Sequence, residues 1–189
     1  MRIMKKVTSS LMLIMSILAT STVFAQKINI GVNGAAALPM GDFGDLTTFG
    51  FGGDVSVDYY FNDKFDLGIE AGYRAFPYDN AFLDGEHMSL IPIQLTAAYH
   101  TDVADWIDLY GELGGGVFIA SSSISGSESE TYGGISPRVG AAFELSPEWF
   151  LDVNVNYNMV FSEETSNASF TPNFNWIGIN VGILYTIMD

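Results

Sequence analysis

The sequence predicts an all-β fold, an eight-stranded antiparallel up-and-down transmembrane β-barrel. Three observations predict it. Apolar residues alternate with small or polar ones at a period of two through the chain beyond residue 26, which is the strand signature. The connections between these runs alternate between short and long. The non-apolar positions are Gly, Ala, Asn and Ser with a few mid-strand charges, rather than the charged outer face a soluble barrel needs.

The elements follow in order. Strands are expected at 27–38, 49–61, 65–76, 88–100, 106–119, 132–145, 149–161 and 174–187. The last is the clearest: Ile177, Ile179, Val181, Ile183, Tyr185 and Ile187 alternate with Gly178, Asn180, Gly182, Leu184 and Thr186. The seventh repeats the pattern, with Leu151, Val153, Val155, Tyr157, Met159 and Phe161 against Asp152, Asn154, Asn156 and Asn158. In the fifth, Ile107, Leu109, Leu113, Val117 and Ile119 oppose Asp108, Tyr110, Glu112 and Phe118. Asn62-Asp63-Lys64, 101–105 and Ser146-Pro147-Glu148 read as short turns. The segments 39–48, 77–87, 120–131 and 162–173 read as long loops, rich in Gly, Ser, Asn, Asp and Glu.

Physical chemistry explains why such a pattern closes into a barrel. In lipid every backbone polar group must be paired internally, and strands achieve this only by closure. A tilted strand crosses the bilayer with about 9–11 residues. Bacterial barrels have even strand numbers, short periplasmic turns and long outer loops. A soluble eight-stranded barrel would turn its apolar face inward and cover its exterior with charge, yet beyond residue 26 the only lysines are Lys27 and Lys64.

Aromatic residues mark both ends of the strands. Tyr59, Tyr60, Phe61, Phe65, Tyr99, Trp106, Phe143, Trp149, Phe150 and Tyr185 lie beside the short turns. Phe49, Phe51, Phe76, Tyr78, Phe118, Tyr132, Phe161, Phe174 and Trp176 lie beside the long loops. Two girdles at the membrane–water boundaries are the expectation.

Residues 1–25 read as a secretory signal peptide. Arg2, Lys5 and Lys6 form a positive start, Leu11–Ala19 a short apolar run, and Val23-Phe24-Ala25 a cleavage site before Gln26. The apolar run is shorter than the roughly 20 residues of a spanning helix. The barrel domain is then 26–189. Beyond the leader only four basic residues face 22 acids, so nucleic-acid phosphates would be repelled and DNA or RNA binding is excluded. The chain has no Cys, which removes disulfides, thiolate metal sites and cysteine nucleophiles. Two histidines, His87 and His100, argue against a multi-histidine metal site. No cofactor is expected.

Taken together, the leader, strand count, loop asymmetry and terminal aromatics resemble the small eight-stranded outer-membrane barrels of the OmpA/OmpX type. The resemblance covers roughly 27–187 and rests on pattern rather than on a residue fingerprint. It implies residence in the Gram-negative outer membrane among lipid and lipopolysaccharide, insertion by the barrel assembly machinery, and a role in membrane integrity, surface adhesion or host contact. Such barrels often finish on an aromatic residue that the assembly machinery reads. Here the last strand has Tyr185 and Ile187 on its lipid face.

The inward positions carry Asp54, Asp58, Glu70, Arg74, Glu112, Arg138, Glu144 and Asp152. An isolated charge in a confined lumen is costly, so these should pair. A symmetric hairpin centred on position 125 sets Glu112 opposite Arg138. One centred on position 64 sets Asp54 opposite Arg74, with Glu70 one pleat below. Asp54, Glu70, Arg74, Glu112, Arg138 and Glu144 thus form a candidate lumen network, either a structural plug or a gate in which Arg138 switches partners to open a narrow conduit for ions or small solutes.

Two further readings are weaker. His87-Met88-Ser89 puts a His and a Ser on one face at the outer end of strand four, where a lipid-modifying enzyme would want them. The neighbouring outward positions, Ala75 and Ile119, supply no acid, and His100 lies at the opposite end. The outer loops hold Asp42, Asp45, Asp79, Asp84, Glu86, Glu128, Glu130, Glu163 and Glu164 without any Lys or Arg. Oxygen ligands suit Ca²⁺ or Mg²⁺, but no EF-hand-like spacing appears, and solvated loops available to a surface ligand are the simpler expectation.

Overall fold

The computed structural model describes residues 27–188, apart from 81, 83, 84, 125, 126 and 162–173. The expected signal peptide and the fourth long loop, with Glu163 and Glu164, lie outside the described residues, as does Asp84. Eight antiparallel strands, each bonded to its neighbours in sequence, close into a barrel when the first pairs with the last. They are β1 (Lys27–Met40), β2 (Gly50–Asn62), β3 (Phe65–Pro77), β4 (His87–Ala104), β5 (Ile107–Ser122), β6 (Glu130–Ser146), β7 (Trp149–Phe161) and β8 (Asn175–Met188). Closure runs from Lys27 opposite Met188 to Met40 opposite Asn175. One short helix, α1 (Asp42–Leu46), interrupts the first long loop. The periodicity does not announce this helix, because five residues are too few to show one.

Alternation decides which residues meet lipid. Ile69, Leu95, Val139 and Ile179 project outward and are more than half exposed, Leu95 by 68%. Bilayer hydrocarbon, not water, covers such a belt. Asn29, Asn33, Asn154, Asn156, Asn158 and Asn180 line the interior and are each at most 6% exposed. A lumen this narrow is filled by side chains, and glycines make room for the large ones. A Cβ at Gly140 would sit 2.4 Å from the Tyr110 ring, and one at Gly134 would sit 2.5 Å from Phe118.

The ladders of all three short hairpins shift by one residue, between Tyr60 and Asn62, between Asp102 and Ala104, and between Glu144 and Ser146. At the first, the Asn62 side chain accepts hydrogen bonds from the backbone N–H of Lys64 (2.9 Å) and Phe65 (3.1 Å), a local turn that Asn favours. β4 continues to Ala104, so the second turn is shorter than the expected 101–105.

The aromatic reading needs one correction. Trp106 with Phe143, Trp149 with Tyr185 and Phe65 with Tyr99 pack in outward pairs at the short-turn rim, and Phe49 with Phe51 does so at the opposite rim. Phe76, Phe118, Phe174 and Trp176 instead lie buried inside. The reason is parity. Phe76, Phe118 and Trp176 share the even, inward phase of Arg74, Glu112 and Asn180. Tyr60 is inward for the same reason.

Candidate functional site

The lumen has three layers. At the loop end, Phe43 of α1 inserts between Phe76 (centroids 4.8 Å apart) and Phe174 (5.4 Å), and Trp176 packs edge-on against Phe76 and Phe118. With Ala37, Leu90, Ala120 and Val160 they form one apolar cluster, in which Phe43, Phe76, Leu90 and Phe118 have no exposed surface. Backbone bonds hold the helix in place: Thr48 N–H donates to Pro77 O (2.8 Å), and Asp79 N–H donates to Leu46 O (3.0 Å). The first two loops are therefore tied to each other over the mouth.

At mid-height sit the ion pairs. Arg74 donates two bonds to Asp54, Nη1 to Oδ1 at 2.8 Å and Nη2 to Oδ2 at 2.6 Å. The residues are diagonal rather than opposite, since Asp54 faces Gly72 and Gly52 faces Arg74. The turn pairs Asn62 with Phe65, off the expected centre at 64, and the one-residue shift beyond it completes a two-residue offset that the long arginine side chain makes up. Arg74 Nη2 also reaches Asn180 Oδ1 (3.2 Å). From there a chain of bonds crosses the barrel: Asn180 Nδ2 donates to Asn154 (2.6 Å), Asn154 Nδ2 to Asp152 (2.7 Å), and the Tyr110 hydroxyl to Asp152 from the other side (2.8 Å).

Glu112 stands opposite Arg138, and Nη1 of Arg138 lies 3.0 Å from Glu112 Oε1. Arg138 also spans the lumen from β6 to β3, its Nη2 lying 2.7 Å from Glu70. One guanidinium therefore bridges two carboxylates, one through each terminal nitrogen, as Arg's fork of donors permits. Glu144 does not join this group. It is exposed at the short-turn mouth and forms no ion pair among the described residues.

Below this layer, a cavity of about 310 Å³ opens at the short-turn end. His100, which the sequence reading leaves without a role, is part of its lining. Nε2 lies 2.6 Å from Asp66 Oδ2, and Nδ1 lies 2.6 Å from Asp108 Oδ2. The ring stacks on Tyr110 at 5.5 Å, and the Tyr60 hydroxyl is 3.3 Å from Nε2. With both carboxylates ionised, only the imidazolium can donate both bonds. The inward parity of Asp66, His100 and Asp108 was a usable signal. What hid the cluster is the long loop between Asp66 and His100 and the bulged register between His100 and Asp108.

The other candidates do not assemble. Ser89 bonds Ser121 (Oγ to Oγ, 3.1 Å), and the backbone N–H of His87 donates to Ser123 Oγ (2.8 Å). Among the described residues His87 makes no bond to Ser89, and neither side chain meets a carboxylate. Nor do any three His, Cys, Asp or Glu side chains among them converge as a metal site.

Residues 8–183 match the outer membrane protein beta-barrel domain family. The chain belongs to that family. It is an outer-membrane protein, seated among the lipids of that membrane. No curated protein matches it. Among solved structures it is similar to Neisserial surface protein A, with a TM-score of 0.68, 18% identity, and coverage of 84% of this chain and 96% of that one. It is also similar to a major outer membrane protein from Thermus thermophilus (TM-score 0.59, 14% identity, covering 87% and 100%). A third likeness is to Ail, the attachment invasion locus protein of Yersinia pestis, in complex with the heparin analogue sucrose octasulfate (TM-score 0.56, 18% identity, covering 87% and 100%). At these identities the likeness is one of fold.

Proposed function

We propose that this outer-membrane barrel is a closed structural element whose acidic outer loops contact a positively charged partner at the cell surface. The observation that carries the reading is the apolar seal at the loop end, where Phe43 fills the mouth and is wholly buried. A water-filled conduit needs a polar path, and both this seal and the Arg74 and Arg138 layers stand across it. No catalytic role is assigned. In this reading residues 1–25 direct export, the assembly machinery inserts the barrel, and lipopolysaccharide surrounds its outer half.

Charge supports the loop assignment. The segments 39–48, 77–87, 120–131 and 162–173 carry acids and no Lys or Arg. The Ail structure holds a polyanion. The same ligand chemistry would be repelled here, and a cationic surface is favoured instead.

Two assays test this together. The refolded barrel should leave liposomes impermeable to small sugars and should pass unretained through immobilised heparin at low salt. Sugar-driven swelling would contradict closure. Retention on heparin would contradict the loop assignment.

A further inference from the structure

Below the ion-pair layer a polar chain runs from the closing seam of the barrel to His100. The Thr186 hydroxyl of β8 donates to Asn29 Oδ1 of β1 (2.7 Å), and Asn29 Nδ2 donates to the Tyr60 hydroxyl oxygen of β2 (3.2 Å). That oxygen lies 3.3 Å from His100 Nε2 of β4, and His100 Nδ1 lies 2.6 Å from Asp108 Oδ2 of β5. Thr186, Asn29, Tyr60 and His100 are all buried. Each link donates in the same direction, from β8 towards β5, when Nε2 accepts from Tyr60. The imidazolium interrupts that order, because its Nε2–H is a donor and points at Asp66 Oδ2 of β3 (2.6 Å). Tyr60 and Asp66, on two different strands, thus compete for one ring nitrogen.

The two nitrogens are not equivalent. Nδ1 meets Asp108 alone, and an ionised carboxylate only accepts. A proton lost from Nδ1 would leave a lone pair against that carboxylate with no donor to replace it. A proton lost from Nε2 leaves a lone pair against Asp66, but there the Tyr60 hydroxyl is in reach to donate. Other charged and titratable groups line the same cavity, namely Lys27 of β1, Asp58 of β2, Asp102 of β4 itself, Tyr110 of β5 and Asp152 of β7. Among the described residues none of these bonds to a ring nitrogen; Tyr110 only stacks on the ring.

We propose that His100 is a two-position protonation switch. Charged, it clamps β3 to β5 through Asp66 and Asp108. Neutral, it keeps its Nδ1–H on Asp108, releases Asp66 and accepts a hydrogen bond from the Tyr60 hydroxyl. The chain from the β1–β8 seam to β5 is then unbroken. Asp66 lines the cavity, and release lets its carboxylate turn into it. The short-turn end thus trades a tie to β3 for a tie to β2 and the seam. The switch is remote from the outer loops, so it stands or falls independently of their role.

The test is NMR of the histidine ring nitrogens in the refolded full barrel in nanodiscs, followed across the titration of His100. His87, the other histidine of the chain, is assigned with His87→Gln. In the parent the neutral ring should carry its proton on Nδ1 alone, with the Tyr60 hydroxyl proton correlated to Nε2. Tyr60→Phe removes a bond made only to the neutral ring, so the titration midpoint should rise by roughly one pH unit. Asp66→Asn removes a bond made to the charged ring, so the midpoint should fall. Should a variant fail to fold, the parent's tautomer and hydroxyl correlation carry the test. A neutral ring protonated on Nε2, a ring that stays doubly protonated until the barrel unfolds, or a midpoint that Tyr60→Phe leaves unchanged or lowers would overturn the proposal.

Discussion

Arg138 concentrates the electrostatics of the interior in one side chain. It is 8% exposed and neutralises Glu70 and Glu112 from two other strands. Removing one partner of a buried pair leaves an uncompensated charge and typically costs about 3–5 kcal/mol. Arg138→Met should therefore lower stability by that amount in urea unfolding. Adding Glu70→Gln and Glu112→Gln should restore more than half of it, because the stranded charges are then gone. No restoration would mean that packing, not charge, is what Arg138 supplies. Part of this arrangement is legible in the sequence. Glu112 and Arg138 share a hairpin, and symmetry about position 125 sets them face to face. The Glu70 contact is not legible, since β3 and β6 are not neighbours and only the closed barrel brings them together. His100 escapes for a related reason: its two carboxylates come from β3, joined to β4 through the long second loop, and from β5, across a turn whose bulge displaces the simple register. His100→Leu should strand Asp66 and Asp108 in the same way and destabilise by about 3 kcal/mol or more, whereas Asp66→Asn, which keeps a hydrogen-bonding group, should cost less. Equal losses in unfolding experiments would contradict the clamp.

The elements divide their labour by face. Strands supply an alternation so regular that all eight are found within a few residues from the sequence, and one residue of phase separates lipid from lumen. That phase also holds the lesson of the aromatics. Position along a strand suggests a girdle, but parity decides. Phe76, Phe118 and Trp176 fall on the inward phase and build the seal instead. A charge on the lipid face should reveal the membrane directly. Leu95 lies outward at mid-strand and opposite Ile69, so Leu95→Arg should cost about 2–4 kcal/mol in a bilayer and far less as measured in detergent. The helix α1 is the element the pattern could not show, because its hold comes from tertiary contact: Phe43 buried among aromatics, and backbone bonds to the second loop. Phe43→Ala should cost about 3 kcal/mol and release α1 from the mouth, which loss of backbone amide protection at Thr48 and Asp79 would register.

At the scale of the whole molecule the described barrel differs between its two ends. Among the described residues its outer end is an apolar cluster, its middle is cross-braced by Arg74 and Arg138, and its short-turn end is an acidic cavity lined in part by His100. This asymmetry separates the two roles a small barrel can play. Surface contact uses the loops and leaves the lumen a brace. Transport would need the seal and the ion-pair layer to part together. Composition alone makes the outer loops acidic and free of Lys and Arg, but only the folded lumen speaks to closure. Conductance of the refolded barrel in a planar bilayer tests that closure most directly. The account predicts a silent membrane for the parent and for Arg138→Ala, with current arising only when both barriers are cut, as in Phe43→Ala and Trp176→Ala combined with Arg138→Ala. Steady or gated current through the parent, altered by Arg138→Ala, would contradict it.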